Sequence, residues 1–221
     1  MLGLSLDVPA GRPLRVLAVG AHSDDIEIGA GGTVIRLVRE RPDVEVRWVV
    51  LSALDERADE ARASAKRLLA GAASRDIVVE AFRERFFPHL PELKERFDLL
   101  AVEGEPPDLV LGPRAADLHQ DHATVAALVR QTFRDQLVLE YEIPKVEADL
   151  GRPDLYVELS EADVEAKLRH LPAAFASQRS QTWFREDLFR GLLALRGMEG
   201  GAASGYAEAF TVPRTLVRQL G

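Results

Sequence analysis

The sequence predicts an α/β protein in which helices cover both faces of a mainly parallel β-sheet, giving three layers. Short apolar runs at residues 14–20 (LRVLAVG) and 108–111 (DLVL) are typical of strands buried inside such a sheet. Segments with helical periodicity alternate with these runs, as in βαβ units. Hydrophobic residues make up 47% of the 221 residues and charged residues 29%, which is ordinary for a globular chain with a large core.

In the first half of the chain, strands and helices alternate. The alternating apolar positions of residues 44–51 indicate a second strand, and residues 91–100 form a helix that Pro91 opens. The expected elements are a strand at 14–20, a helix from Gly31 to Pro42, a strand at 44–51, a helix at 57–69, a strand at 77–81 and a helix from Pro91 with Leu93, Phe97 and Leu100 on one face.

The second half continues the alternation and then loosens after Pro144. Ser160 is placed to cap a helix whose apolar positions are Val164, Leu168 and Leu171. The expected elements are strands at 108–111, 137–143 and 155–159, helices at 122–133, after Ser160 and at 183–195, a Gly/Ala-rich loop at 197–205 and a closing strand at YAEAF. No linker divides the chain, so we expect one domain over residues 1–221.

Composition excludes several classes of function. The formal net charge of −8 disfavours a nucleic-acid partner, because acidic surfaces repel phosphate backbones. The chain has no Cys, which excludes disulfides and thiolate chemistry. No run of 18 apolar residues indicates a membrane span. We therefore expect a cytoplasmic protein that acts on a small molecule, and the sequence leaves open whether it is a homo-oligomer.

The stretch AVGAHSDDIEIGAGGT, residues 18–33, has two interpretations: a phosphate-binding loop or part of a metal site. Its glycines lack the G-x-G-x-x-G spacing of a dinucleotide-binding turn, and it has no Lys for a P-loop. The carboxylates of Asp24 and Asp25 would repel a pyrophosphate. Spacing and charge therefore exclude the phosphate interpretation.

A metal site fits this stretch better. His22 and Asp25 are three residues apart after a predicted strand, so an imidazole and a carboxylate can bind one cation. Asp24 would then lie beside the cation and could take a proton from a water molecule there. The alternative is an Asp-rich loop that caps a helix beginning at Gly31. This stretch alone does not distinguish the two.

A second cluster lies in PRAADLHQDHATV, residues 113–125, which also follows a buried strand. It contains Asp117, His119, Asp121 and His122. Two His ligands, one carboxylate and an open position describe a catalytic zinc site, and they also resemble the facial triad of non-haem iron enzymes. An additional Asp beside the ion favours hydrolysis. We expect no functional role for the other two histidines, His89 and His170.

The two motifs together resemble the PIG-L/LmbE-like deacetylases. AHSDDIEIGAGGT is similar to the signature AHPDDE-x-x-G-x-G-G-T, and DLHQDH is similar to the second motif H-x-D-H. The resemblance implies a Rossmann-like α/β fold and zinc-dependent removal of an N-acyl group, usually N-acetyl from a GlcNAc-type sugar or sugar conjugate. Ser23 and Gln120 stand where Pro is usual, and Ile26-Glu27 replaces the usual Glu.

The resemblance also implies roles by position. His22, Asp25 and His122 would be the zinc ligands and Asp24 the general base. His119 would face the developing oxyanion, with Asp121 orienting or charging it. Arg57 would line the substrate pocket, although an ion pair with a helical neighbour is an equal alternative. Two other functions stay open: a sugar- or nucleotide-binding module with a structural metal, and a zinc amidohydrolase of a non-sugar substrate.

Overall fold

In a computed structural model, the described residues are 3, 5–6, 8–9 and 11–216. The expected domain of residues 1–221 includes residues 217–221, which lie outside the described residues. The strands are β1 Arg15–His22, β2 Glu45–Ser52, β3 Ser74–Val79, β4 Leu109–Pro113, β5 Leu137–Tyr141, β6 Leu155–Glu158 and β7 Ala207–Thr211. The α-helices are α1 Asp25–Glu40, α2 Asp55–Leu68, α3 Pro91–Val102, α4 Gln120–Thr132, α5 Glu161–Ala174 and α6 Glu186–Gly200.

The seven strands form one sheet in the order β3-β2-β1-β4-β5-β7-β6. Neighbours among the first five are parallel, and β7 runs antiparallel to both β5 and β6. This confirms the prediction of a mainly parallel sheet. No helix in the described ranges combines the length and apolar character that crossing a membrane requires.

Helices pack on both faces of the sheet, as the alternating elements predicted. Val16 and Ala18 of β1 belong to an apolar cluster that includes residues of α1, α2, α5 and α6. Leu17 and Val19, which point to the opposite face, belong to a second cluster with residues of α3 and α4. The architecture is therefore three layers, α/β/α.

The order of the strands places a crevice at the centre of the sheet. β1 pairs with β2 on one side and with β4 on the other, where Ala18 lies opposite Leu111. The chain therefore proceeds outward in two directions from this point. In open α/β sheets such a switch point, at the carboxyl ends of the strands, is where ligands bind. The loops after β1 and β4 carry the two predicted clusters.

Helix α1 begins earlier than predicted. Its first residue is Asp25, not Gly31, so the glycines lie inside the helix and not before it. A Cβ atom on Gly29 would be 2.2 Å from Cδ2 of Tyr141, and one on Gly32 would be 2.4 Å from Cδ1 of Leu159. Glycine is needed there because the helix backbone packs directly on these side chains, a cause that periodicity does not reveal.

Other boundaries also differ from the prediction, and the causes are visible for α6 and β3. Helix α6 extends to Gly200 and ends where Gly201 adopts a left-handed conformation with φ 64°, so part of the expected loop at 197–205 is helical. Strand β3 is Ser74–Val79, not 77–81, because its pairing with β2 begins at Ser74 opposite Glu45. The first residues of this edge strand are polar, so the apolar pattern of the sequence does not indicate where it begins. The capping role of Ser160 is confirmed, since its side chain accepts a hydrogen bond from the Asp163 backbone N–H.

Candidate metal centre and active site

The first cluster lies where β1 passes into α1. β1 ends at His22, and α1 begins at Asp25 after a turn of only two residues. The backbone N–H of His22 donates to Oδ2 of Asp25 at 2.8 Å. This short turn places the imidazole and the carboxylate side by side at the carboxyl edge of the sheet.

His122, in the first turn of α4, completes a group of three. Its Nε2 lies 3.2 Å from Nδ1 of His22 and 3.3 Å from Oδ2 of Asp25. Nδ1 of His22 lies 3.6 Å from the same Oδ2. Bond lengths of about 2.0–2.1 Å in a tetrahedral zinc site separate neighbouring ligand atoms by about 3.3 Å. The three atoms therefore have the separations that one zinc ion requires.

The electrostatic field of this group favours a positive charge. Burial alone would lower the pKa of His122, but Asp25 and Asp117 raise it to about 10. Burial opposes protonation of His22 too, and Asp25 and Asp121 raise its pKa to about 9. Carboxylates that favour protonated rings favour a bound cation for the same reason.

Each histidine is also held through its second ring nitrogen. Oδ2 of Asp121 lies 3.2 Å from Nε2 of His22, and Oδ2 of Asp117 lies 3.0 Å from Nδ1 of His122. A carboxylate behind a ligating imidazole fixes the tautomer and directs the other nitrogen at the metal. These contacts assign Nδ1 of His22 and Nε2 of His122 as the atoms free to bind an ion.

The side chain of Asp121 does not lie where the resemblance placed it. The resemblance implies that Asp121 orients or charges His119, but its carboxylate contacts His22 and accepts the backbone N–H groups of Arg85 and Phe87. His119 instead accepts the backbone N–H of Asp121 as the N-terminal cap of α4. At the start of α4, the side chains of His119 and Asp121 therefore contact different groups and not each other.

A second trio, His22, His119 and Asp121, also has ligand atoms close enough to hold an ion. Its carboxylate, however, already serves two backbone N–H groups and Nε2 of His22. In the first trio, by contrast, the two ring nitrogens and the carboxylate oxygen lie within 3.6 Å of one another. The second nitrogen of each ring contacts a further carboxylate, from Asp121 or Asp117. The donor chemistry therefore favours His22, Asp25 and His122.

Asp24 lies beside the trio as the N-terminal flanking residue of α1, and it makes no side-chain cap. The interpretation of this loop as a helix cap is therefore wrong for Asp24. The carboxylate is buried, and Oδ2 has no hydrogen-bond partner among the described residues. Burial and the neighbouring Asp25 raise its pKa to about 6, against an opposing effect of Arg57.

His119 lies on the open side of the cluster and is half-buried. Its ring centroid is 4.7 Å from that of His122 and 5.0 Å from that of His22. Burial and these two neighbouring rings lower its pKa. Nδ1 accepts a backbone N–H at 3.3 Å, so the neutral ring carries its proton on Nε2 and can donate from there.

The family model of the GlcNAc-PI de-N-acetylases (PIG-L) matches residues 17–133, more than half of the chain. The chain belongs to the PIG-L family. The matched region includes both clusters and all three residues of the favoured trio.

Solved structures share the PIG-L fold at low sequence identity. A conserved protein of Thermus thermophilus has 21% identity and a TM-score of 0.72, with 93% of this chain and 97% of that one covered. The N,N'-diacetylchitobiose deacetylase of Pyrococcus horikoshii has 22% identity, a TM-score of 0.66 and coverages of 90% and 83%. A 4-carboxy-2-hydroxymuconate hydratase of Pseudomonas putida has 17% identity, a TM-score of 0.73 and coverages of 94% and 99%. Proteins named for different reactions thus share this fold, so the reaction has to be inferred from the residues of the site.

The guanidinium of Arg57 in this PIG-L chain contacts three other side chains of the protein. Its Nε donates to Oγ of Ser23 at 3.1 Å, and its Nη1 donates to Oε2 of Glu84 at 3.2 Å. Its Nη2 lies 3.7 Å from Oδ1 of Asp24. Arg57 therefore does not pair with a neighbour on its own helix, which was one of the two expectations. Its partners lie in the loops that follow β1 and β3.

Asp117 lies against His122, a position that the sequence does not indicate. Besides His122, its Oδ2 contacts Nζ of Lys145 at 2.8 Å, and that ammonium also contacts Asp149. The signal available in the sequence was a carboxylate five residues before His122. Spacing alone could not distinguish it from a surface acid.

A buried polar chain behind the metal centre was also missed. Oγ of Ser64 contacts both Oε1 of Glu27 and Nε2 of His170, the latter at 2.8 Å. Burial raises the pKa of Glu27 to about 8 and, with Arg67, lowers that of His170 to about 4. His170, for which no role was expected, therefore links α5 through α2 to the first turn of α1.

Proposed function

We propose that this chain is a zinc-dependent hydrolase that removes an N-acetyl group from a GlcNAc-type sugar or sugar conjugate. The observation that carries the proposal is Asp24. A buried carboxylate with an unpartnered oxygen lies next to a trio of His, His and Asp with the separations that zinc requires. A structural metal site needs four closed ligands and has no use for an additional carboxylate of this kind.

His22, Asp25 and His122 would hold the ion, with Asp121 and Asp117 fixing the two rings. When bound, zinc supplies a Lewis acid that polarises the acyl carbonyl and makes water more acidic. Three protein ligands leave one position open for substrate, which separates a catalytic zinc site from a structural one.

Asp24 acts as the general base in this proposal. Oδ2 takes a proton from the water molecule that attacks the carbonyl carbon of the acetamide. A pKa raised to about 6 suits this role, because the carboxylate is ionised near neutral pH and still basic enough to accept the proton. The protonated Asp24 is then able to give the proton to the leaving amine.

His119 stabilises the negative charge that develops on the carbonyl oxygen. A protonated imidazole would do so through its positive charge. The lowered pKa and the hydrogen bond at Nδ1 instead support a neutral ring that donates its Nε2–H to the oxygen. A neutral donor leaves Asp24 as the residue that protonates the amine.

The substrate class rests on family membership and on one neighbour named as a deacetylase of N,N'-diacetylchitobiose. The competing functions are hydrolysis of a non-sugar N-acyl amide and sugar binding without catalysis. Both are compatible with the same trio, and they differ in whether free amine is released and from which compounds.

The test is an amine-release assay on zinc-loaded protein. N-acetylglucosamine, its methyl glycoside and N,N'-diacetylchitobiose serve as sugar substrates, and N-acetyl amino acids serve as non-sugar comparators. We expect fluorescamine-reactive amine from the sugars with wild type and far less with Asp24→Asn. Amine from the amino acids alone indicates the non-sugar hydrolase. Sugar binding without amine release contradicts catalysis.

A further inference from the structure

Ser23 lies between a metal ligand and the general base, and it is fully buried. The family resemblance has Pro at this position, which offers no hydroxyl group. In this chain the hydroxyl has a defined partner, since it accepts the hydrogen bond from Nε of Arg57 at 3.1 Å. The same Oγ lies 3.5 Å from Oδ1 of Asp24, to which it can donate its proton.

The guanidinium of Arg57 is held on three sides. Ser23 binds Nε, Glu84 binds Nη1, and Nη2 lies 3.7 Å from Oδ1 of Asp24. The side chain of Asp24 is only 5% exposed, and that of Arg57 is 31% exposed. The pair is therefore not a surface ion pair. Because little water surrounds the Asp24 carboxylate, its electrostatic interaction with the guanidinium is strong and depends on the distance between the two groups.

The two oxygens of Asp24 differ as a result. Oδ1 faces the guanidinium and the Ser23 hydroxyl, whereas Oδ2 has no hydrogen-bond partner among the described residues. A carboxylate that is held at one oxygen has a restricted rotation. Oδ2 then keeps one orientation, which a general base needs in order to accept a proton from a water molecule at a fixed place.

We propose that Ser23 is a positioning residue: by binding Arg57 it fixes the guanidinium against Oδ1 of Asp24 and leaves Oδ2 as the oxygen that takes the proton. This inference rests on the proposed function. It also reassigns Arg57, which the sequence analysis placed at the substrate pocket, as a positioning residue for the base.

Removal of the hydroxyl group should release Arg57. In the Ser23→Ala variant Nε loses its acceptor, and the partly exposed side chain can turn toward Glu84 and solvent. Because the change affects the reacting geometry and not a substrate contact, we expect kcat to fall about 10-fold while KM and bound zinc stay unchanged. Arg57→Ala should lower kcat at least as much, and guanidinium ion added to the solution should restore part of it.

A double-mutant cycle tests whether Ser23 acts through Arg57. In the Arg57→Ala background, Ser23→Ala should have no further effect on kcat, because the group through which it acts is gone. Arg62→Ala, on the same helix, is the matched control and should keep full activity, because Arg62 contacts Asp59 and the backbone carbonyl of Val79 and no residue of the site. Additive losses, or a rise of KM alone for Arg57→Ala, would overturn the proposal.

A crystal structure of Ser23→Ala gives a readout independent of activity. We expect the Arg57 guanidinium to leave Asp24, and its retention within 4 Å of Oδ1 would overturn the proposal even if the protein deacetylates no sugar. Absence of deacetylation by wild type, by contrast, contradicts only the proposed function. Should Ser23→Ala not fold, Arg57→Lys replaces it, because it keeps the charge and loses the Nε donor.

Discussion

Oδ2 of Asp117 lies 3.0 Å from Nδ1 of His122, while the other ring nitrogen, Nε2, lies 3.3 Å from Oδ2 of Asp25. In the proposed zinc site, this contact would orient the imidazole of His122 so that Nε2 faces the ion, although Asp117 is not itself a ligand. It also gives a prediction that separates ligands from the residues that support them.

We expect Asp117→Asn to weaken zinc binding by about 10- to 100-fold, because the amide cannot accept the imidazole proton as a carboxylate does. His122→Ala should lose most of the zinc, since it removes a ligand. Elemental analysis after dialysis against a zinc buffer measures both. The exposed His89→Ala is the matched control. Full occupancy in His122→Ala would show that the ligands are assigned incorrectly.

Asp24→Asn should fold, bind zinc and bind substrate, since Asn has the same shape. We expect kcat to fall by about 10² to 10⁴, because the amide cannot take the proton from water. KM should change little, as the lost interaction belongs to the transition state. Steady-state amine release at matched zinc content is the measurement. Equal rates would remove Asp24 from the mechanism.

His119→Ala should keep the zinc and lower kcat by about 10² to 10³, the effect of removing one donor to an oxyanion. The geometry supports this because the ring lies beside the favoured trio and is not one of its members. Metal content and turnover are measured on the same preparation. Loss of zinc from this variant would instead favour the second trio.

His170 should make the stability of the fold depend on pH. Its pKa is lowered from 6.5 to about 4, so the unfolded chain binds a proton in this range that the folded chain does not. The stabilising effect is complete above pH 6.5 and is lost as the pH falls toward 4. The shift corresponds to at most about 3 kcal/mol in the free energy of unfolding.

The test compares urea unfolding of wild type and His170→Gln between pH 4 and 7. Other groups titrate in both proteins, so the difference between the two curves isolates His170. We expect wild type to lose more stability than the variant as the pH falls. Parallel curves would mean that His170 titrates normally in the folded chain.

The glycines of α1 predict opposite effects of the same substitution. Gly29→Ala places a methyl group against Tyr141 and should lower the free energy of unfolding by about 1–3 kcal/mol. Gly31→Ala meets nothing closer than 3.9 Å and should be neutral or stabilising, by up to about 1 kcal/mol. Thermal unfolding of the two variants provides the comparison. Equal destabilisation would contradict the close approach of α1 to β5.

The buried strands and the two polar clusters could be predicted because their signals are local. The run LRVLAVG indicates β1 by composition alone, and His22 and Asp25 follow it directly. Since parallel strands end at one edge of the sheet, the sequence also indicated that the second cluster would lie near the first.

Features that depend on contacts between distant elements could not be predicted. The start of α1 was obscured by Gly29 and Gly32, whose reason is packing against Tyr141 and Leu159. The carboxylate of Asp121 contacts His22 and the backbone N–H groups of Arg85 and Phe87, which belong to other segments of the chain. Sequence spacing is blind to both, because each is decided by a side chain more than one element away.

The direct pairing of β1 with β4 brings together ligands that are far apart in the chain. His22 and His122 are 100 residues apart and belong to segments joined by two other strands. An ion held between them is in effect a cross-link that closes a long loop, and such closures restrict the unfolded chain most. A chelator should therefore lower the melting temperature as well as the activity. Bound metal would then serve as a reporter that the centre of the sheet has assembled.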